Sequence, residues 1–134
     1  MSSIFTKIIA GDIPCYKVAE DADNIAFLDI RPLKKGHTLC VPKVEVDELY
    51  ELPEEDYQRL MAFSQRVAKA LKKALPCKRI GSMVLGMEVP HAHLHLVPIE
   101  AEHELSFANT PLSLNSEEMM SIAASISDAL DSAE

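Results

Sequence analysis

Apolar positions along the chain follow two spacings, one typical of helices and one typical of strands. Between Pro53 and Pro76 they recur at every third or fourth residue, which predicts a long amphipathic helix. Short apolar runs bounded by turn residues predict strands, and two further helical segments lie near the ends of the chain. The predicted strands are Tyr16–Glu20, Ile25–Ile30, His37–Val41, Arg79–Gly86 and His91–Ile99, and the flanking helices are Ile4–Ala10 and Asn115–Leu130.

The order of these elements favours an α+β fold. Short strands that follow one another with tight connections pair as an antiparallel sheet, and a helix with one apolar face packs across it. We predict a five-stranded antiparallel sheet with a long helix across it, a short N-terminal helix and a C-terminal helix. Asn115 and Glu118 have the spacing of a capping box at the start of that last helix. We expect a single domain over residues 1–134, with mostly loop from 100 to 114.

Charge and cysteine content narrow the class of protein. The net charge of −8 argues against a nucleic-acid groove or an anionic membrane surface, but leaves room for a small phosphate ligand. Three widely spaced cysteines (Cys15, Cys40 and Cys77) indicate free thiols in a reducing compartment. No segment resembles a signal peptide or reaches membrane-spanning length, so we expect a cytoplasmic protein.

The last predicted strand carries the strongest candidate for chemistry. Three of the five histidines, His91, His93 and His95, alternate there with apolar residues. Side chains alternate between the two faces of a strand, so the three imidazoles would share one face and the apolar residues the other. Imidazoles of near-neutral pKa can transfer protons, attack phosphorus or bind metal.

Four interpretations of this row compete. It is a strand whose histidines have no special role, a zinc site built on a His-x-His pair, a catalyst of phosphoryl transfer, or a pocket that binds without turnover. In the third, a neutral imidazole attacks phosphorus and the labile phosphoramidate is hydrolysed in a second step. The regular spacing with an apolar opposite face disfavours the first interpretation. The chemistry of the histidines alone does not decide between the zinc site and the catalyst of phosphoryl transfer.

Four segments of the chain together resemble one known family. Residues 91–98 resemble the histidine-triad motif, His-φ-His-φ-His-φ-φ, of the superfamily of nucleotide hydrolases and transferases named after it. Residues 4–14, 26–32 and 36–43 resemble, in the same order, that family's N-terminal segment, its Asp-Ile-x-Pro turn and its Gly-His-x-Leu-φ-φ-Pro-Lys strand. The chain thus resembles the small nucleotide-binding hydrolases of the histidine triad (HIT) superfamily.

The resemblance implies a role for four histidines. His93 would attack the α-phosphorus of a nucleoside monophosphoryl substrate, forming a nucleotidyl-histidine that water hydrolyses. His95 would contact phosphate oxygens or the leaving group, and His91 would orient or polarise His93. His37, from a neighbouring strand, would support the site.

The resemblance also implies residues that bind the nucleotide. Asp29 would accept hydrogen bonds from ribose hydroxyls, although an Asp at this place also suits a turn cap before Arg31. Four apolar residues resemble positions that line the purine pocket, a role that competes evenly with plain core packing. They are Phe5, Ile8, Phe27 and Leu39.

The implied activity is that of a nucleotide phosphoramidase or nucleoside monophosphoryl hydrolase acting on a purine nucleotide. The alternatives are a dinucleoside polyphosphate hydrolase and a nucleotide-binding adaptor with residual activity. We expect a small-molecule nucleotide substrate, no cofactor, no metal, and no nucleic-acid or membrane partner. The resemblance further implies a homodimer.

Three features depart from the family pattern. In the family, a Gly-rich loop that carries amide and hydroxyl side chains precedes the triad. Residues 85–90 of this chain lack those side chains, and there Glu88 adds negative charge while Pro90 removes a backbone donor. This argues mildly against the extra phosphates of a dinucleoside polyphosphate. Glu45 stands where the family has a histidine, and about thirty residues follow the triad strand. His103, in that extension, is expected to lie at the surface.

Overall fold

The predicted α+β fold is confirmed by a computed structural model, which describes residues 2–132. Within these residues, three α-helices and five strands follow one another, with two short 3-10 turns between them. The elements are α1 (Ile4–Ile9), β1 (Lys17–Glu20), β2 (Asn24–Leu28), β3 (Thr38–Pro42), the 3-10 turn Leu49–Glu51, α2 (Glu54–Ala74), β4 (Arg79–Met83), β5 (Leu94–Ile99), the 3-10 turn Glu102–Glu104 and α3 (Ser116–Ser132).

The five strands form one sheet in the order β1-β2-β3-β5-β4, and every neighbouring pair is antiparallel. Leu39 of β3 is paired with Phe27 on one side and His95 on the other. One residue further along β3, Cys40 is paired with Ala26 and Leu94. Because side chains alternate along a strand, these two rows point to opposite faces of the sheet.

Helices α2 and α3 cover one face. Acidic residues fill the first turn of α2 and lysines its last turn, which complements the helix dipole at both ends. The predicted capping box of α3 is present, since the Glu118 N–H donates to Asn115 Oδ1 at 2.8 Å. Leu60, Val67 and Ile126 of these helices are fully buried against the sheet in the larger apolar cluster.

The opposite face carries a smaller apolar cluster beneath α1. Its buried members are Phe5, Ile25, Phe27, Leu39 and Val41. The short helix α1 cannot close this whole face, and a cavity remains between it, the sheet and the loops. Within residues 2–132, no helix combines the length and the hydropathy needed to cross a membrane.

The predicted strand His91–Ile99 is too long, because β5 begins at Leu94. The His91 N–H donates to the Val89 carbonyl and the Ala92 N–H to the Val46 carbonyl, so this segment does not pair with β3. The partner strand ends at Pro42, which has no N–H to donate. His91 and His93 therefore precede the strand that contains His95. The predicted strand Arg79–Gly86 is also too long, since β4 ends at Met83.

Candidate active site

Seven of the nine predicted site residues line one cavity of about 480 Å³ on the α1 side of the sheet. His37 and His91 are fully buried behind its wall. The seven are Phe5, Ile8, Phe27, Asp29, Leu39, His93 and His95. The fold thus brings together residues from α1, two strands, a turn and the triad segment, which are far apart along the chain.

The hydrogen bond of His93 determines which of its nitrogens can act. His93 Nδ1 lies 2.7 Å from the backbone carbonyl of His91, and a carbonyl only accepts, so Nδ1 carries the proton. In the neutral ring the other nitrogen, Nε2, then holds a lone pair. This is the protonation form that a nucleophilic imidazole requires.

His95 is held in the opposite form by His37. The Leu33 N–H donates to His37 Nδ1 at 3.0 Å, so the neutral His37 ring carries its proton on Nε2. His37 Nε2 lies 3.0 Å from His95 Nδ1 and donates to it. His95 therefore carries its own proton on Nε2, and this N–H is suited to hydrogen bond to a phosphoryl oxygen or a leaving group. The ring centroids of His93 and His95 are 4.9 Å apart.

Burial keeps these rings neutral. Desolvation lowers the pKa of His95 to about 3, with smaller contributions in the same direction from His93 and His37. Burial also lowers the pKa of His93, against the opposing effect of its hydrogen bond to the His91 carbonyl. The pKa of His37 is lowered by burial and partly restored by Asp29. At neutral pH the site therefore holds uncharged imidazoles whose tautomers are set by their hydrogen bonds.

His91 contacts His93 through its backbone. Its ring Nε2 donates to the Pro42 carbonyl at 2.7 Å, and its Nδ1 lies 2.7 Å from Ser3 Oγ. The ring does not line the cavity, and its carbonyl is the group that holds His93 Nδ1. His91 can therefore orient His93, as predicted, through its backbone carbonyl.

Asp29 fits both interpretations made from the sequence. Its Oδ1 accepts the Arg31 N–H at 2.9 Å, which is the turn cap. Its Oδ2 lies 3.6 Å from His37 Nε2, and the side chain lines the cavity with 19% of its surface exposed. The carboxylate therefore retains lone pairs that can accept from a ligand hydroxyl.

The apolar wall of the cavity is continuous with the smaller core cluster. Phe5 meets Phe27 edge-on at a centroid distance of 5.5 Å and His93 at 5.0 Å. Leu39 and Ile8 complete this part of the wall. Lining the cavity and packing in the core are thus the same role for these four residues.

Phe107 is a cavity residue that no pattern in the sequence predicted. Its ring meets His95 edge-on at 5.0 Å and lies 6.2 Å from His37, and it lines the cavity. The segment after β5 is held across the Asp29–Lys34 turn by an ion pair from Lys34 to Glu104 and by the Leu112 N–H donating to the Pro32 carbonyl. The chain has only four phenylalanines, and this small number was the one feature of the sequence that pointed to Phe107.

The segment before the triad forms another part of the wall. Residues 85–89 line the cavity, and Gly86 has a φ of +73°, a backbone conformation that favours glycine. Leu85 and Met87 are exposed at its mouth. His103, by contrast, is exposed on the 3-10 turn after β5, as expected.

One group of side chains in the described residues has the composition of a metal site. Ligand atoms of Asp29, His37 and His95 all lie within 4.8 Å of one another. Two imidazoles and a carboxylate are a ligand set that zinc accepts. In this arrangement, however, His37 Nε2 and His95 Nδ1 share a hydrogen bond, so a metal ion would have to displace that proton.

Sheet order, buried histidines and cavity together define an α+β protein whose site is built for a small ligand. The model of the HIT domain matches residues 10–102, and the chain belongs to the HIT family. It is similar to the adenosine 5′-monophosphoramidase hnt1 of Schizosaccharomyces pombe, 38% identical over 99 residues that cover 73% of this chain and 74% of that protein. Protein hit of Bacillus subtilis is 39% identical over 102 residues, covering 71% and 69%. The crystal structure of a Hit-like protein from Bartonella henselae superposes with a TM-score of 0.83 at 32% identity, covering 96% of each chain.

Proposed function

We propose that this protein hydrolyses the phosphorus–nitrogen bond of purine nucleoside phosphoramidates through a nucleotidyl-His93 intermediate. The observation that carries the proposal is the hydrogen bond from His93 Nδ1 to the His91 carbonyl, which leaves the Nε2 lone pair available in a ring that lines the cavity. The similarity to the adenosine 5′-monophosphoramidase hnt1 of Schizosaccharomyces pombe supports this choice of bond.

The reaction has two steps. His93 Nε2 attacks the α-phosphorus, a bond forms between them, and the leaving nitrogen departs with the electrons of the broken P–N bond and takes up a proton from solvent, to which the water of the second step returns one. Water then attacks the same phosphorus, and His93 departs with its lone pair restored. The sum consumes one water and releases the nucleoside monophosphate and the free amine.

The other residues act on binding and charge. The His95 Nε2–H stabilises charge on the phosphoryl oxygens or the leaving group, and His37 holds His95 in that tautomer. Asp29 Oδ2 accepts from the ribose, and the wall formed by Phe5 and its neighbours receives the base. A neutral purine suits this wall because most of it is apolar.

The decisive experiment compares His93→Ala with His103→Ala on adenosine 5′-phosphoramidate. We expect the first variant to lose at least about a thousandfold in kcat and the second, which alters an exposed histidine, to keep wild-type turnover. Mass spectrometry of the quenched wild-type reaction should detect adenosine monophosphate bound to His93. A His93→Ala enzyme of wild-type activity, or an adduct on another residue, would refute the mechanism.

We further propose that two copies associate through β4, so that the sheet continues across the interface. β4 is one of the two edge strands of the sheet and has no buried residue, whereas the other, β1, has two; exposed edge strands readily pair with a second chain. Light scattering should then give twice the 14.8 kDa of one chain. A single-chain mass at micromolar concentration would reject the dimer.

We also propose a cytoplasmic location, because Cys15, Cys40 and Cys77 are all free thiols and thus suit a reducing compartment. Fractionation of cells followed by immunoblotting tests this, and recovery of the protein outside the cytoplasm would contradict it.

A further inference from the structure

A network of hydrogen bonds behind the cavity joins residues from three distant parts of the sequence. The Ser3 hydroxyl contacts His91 Nδ1 at 2.7 Å, and Glu45 Oε1 accepts both the Ser3 N–H at 2.8 Å and the Thr6 hydroxyl at 2.6 Å. We call these four residues (Ser3, Thr6, Glu45 and His91) the His91 network. None of them lines the cavity.

The shortest hydrogen bonds of this network have one direction when the His91 ring is neutral. His91 Nε2 donates to the Pro42 carbonyl, so Nδ1 of the neutral ring is an acceptor. The Ser3 hydroxyl therefore donates its proton to His91 Nδ1, while its oxygen accepts the Thr6 N–H at 3.0 Å. Both ring nitrogens of His91 are thus satisfied, and the ring has one orientation.

Glu45 holds the N-terminal end of this network. Its side chain is exposed, yet one carboxylate oxygen receives two hydrogen bonds from the start of α1. These bonds, from the Ser3 backbone and the Thr6 hydroxyl, hold the pKa of Glu45 below its ordinary value. The residue that departs from the family pattern therefore holds the start of α1, where the Ser3 hydroxyl contacts His91.

The network leads directly to His93. The neighbour of Glu45, Val46, accepts the Ala92 N–H at 2.7 Å, and the His91 carbonyl accepts His93 Nδ1–H. From the other side, α1 places the Phe5 ring 5.0 Å from the His93 ring. Moving α1 or rotating His91 would therefore disturb both the acceptor and the packing of the His93 ring.

We infer that Ser3, Thr6 and Glu45 are positioning residues, which act through His91 to keep His93 in the tautomer with a free Nε2 lone pair. The inference rests on the proposed function, in which that lone pair attacks phosphorus. If the His91 carbonyl moves away, the His93 proton can shift to Nε2, and a ring in that form cannot attack.

The test uses variants that each remove the side-chain hydrogen bonds of one network residue; in Ser3→Ala the bond from the Thr6 N–H is lost together with the bond to His91. Ser3→Ala removes the donor to His91, Thr6→Val removes a hydroxyl at nearly constant shape, and Glu45→Ala removes the shared acceptor. Glu45→Gln keeps an acceptor oxygen and serves as the conservative rescue. Asp47→Ala removes an equal charge from an exposed position two residues away and is the matched control.

Three measurements are needed on each variant: kcat and KM for adenosine 5′-phosphoramidate, the ¹⁵N shifts of the His93 ring, and the melting temperature. We expect Ser3→Ala and Glu45→Ala to lower kcat about tenfold with little change in KM, and Thr6→Val to lower it about threefold. The ¹⁵N shifts should report a mixture of His93 tautomers in these variants. Glu45→Gln and Asp47→Ala should match the wild type in kcat and in ¹⁵N shifts.

A lower melting temperature with unchanged kcat and unchanged ¹⁵N shifts would overturn the inference, because it would show a role in stability alone. If the wild-type protein fails to hydrolyse the phosphoramidate, the proposed function is wrong. The ¹⁵N shifts then still decide whether the network sets the His93 tautomer, so the two failures are distinguishable.

Discussion

The side chains buried on the two faces of the sheet have different roles. On the face covered by α2 and α3, Ala26, Cys40 and Leu94 join a large apolar cluster. On the other face the neighbouring residues of the same strands, Phe27, Leu39 and His95, line a cavity. Burying apolar surface is favourable, whereas burying an imidazole opposes its protonation. Because side chains alternate along a strand, one face of the sheet can stabilise the fold while the other face holds the candidate active site.

Leucine truncation on the two faces should show this separation most strongly. Leu60→Ala, in α2, should lower the free energy of unfolding by about 2–5 kcal/mol and leave kcat and KM of the folded protein unchanged. Leu39→Ala should cost less stability, because its side chain already borders a cavity, but should raise KM severalfold. Urea denaturation and steady-state kinetics measure the two effects. Equal losses of stability with equal KM values would contradict the distinction between the faces.

The buried histidines predict how stability depends on pH. The pKa values of His37, His93 and His95 are lowered by burial, that of His95 to about 3. As pH falls below about 6.5, the unfolded chain binds protons that the folded chain does not, so the free energy of unfolding falls. Each such group contributes at most about 1.4 kcal/mol per pH unit, and for His95 the loss continues down to about pH 3.

Urea denaturation of His95→Gln between pH 7 and pH 4 isolates this contribution, and the slope should be shallower than in the wild type. His103→Gln, at an exposed site, should leave the slope unchanged. An identical pH slope in His95→Gln and the wild type would show that His95 is not held neutral by the fold.

Alanine substitutions at two glycines, Gly36 and Gly86, test how closely the chain around each glycine is packed. Gly36, just before His37, has a φ of +90°, and a Cβ there would overlap with Leu75 Cδ1. Gly86 has a φ of +73° with nothing within 4 Å of such an atom. Gly36→Ala should therefore cost about 1–3 kcal/mol of stability, and Gly86→Ala about 1 kcal/mol from the backbone alone. Thermal unfolding measures both, and a Gly86→Ala loss that equals or exceeds that of Gly36→Ala would contradict the packing argument.

The smallest predicted effect concerns Asp29. Asp29→Asn should weaken binding of adenosine monophosphate about threefold and reduce the preference for it over the 2′,3′-dideoxy analogue, because the charged acceptor for the ribose is lost. Isothermal titration with both ligands tests this. An unchanged preference in the variant would assign Asp29 to the turn cap alone.

Local pattern predicted most of the fold. The apolar stripe of α2, the capping box of Asn115 and the five strands depend on residues close in sequence, and all are present in the structure. The start of β5 was placed three residues too early, because the alternation of His91 to His95 continues past the point where pairing with β3 stops. Strand length depends on the partner strand as well as on the strand's own pattern.

The candidate site, like the fold, was predictable from the sequence only in part. The sequence by itself determined the histidine row, because its alternation is local, and the resemblance to the HIT family implied that Asp29 and His37 join that row. Only the tertiary structure decided how His95 is protonated, since its tautomer depends on the contact of its Nδ1 with His37 Nε2, 58 residues away in the sequence. Phe107 and the partnership of Ser3 with Glu45 were likewise decided by folding, because contacts between residues distant in sequence leave no periodic pattern in it.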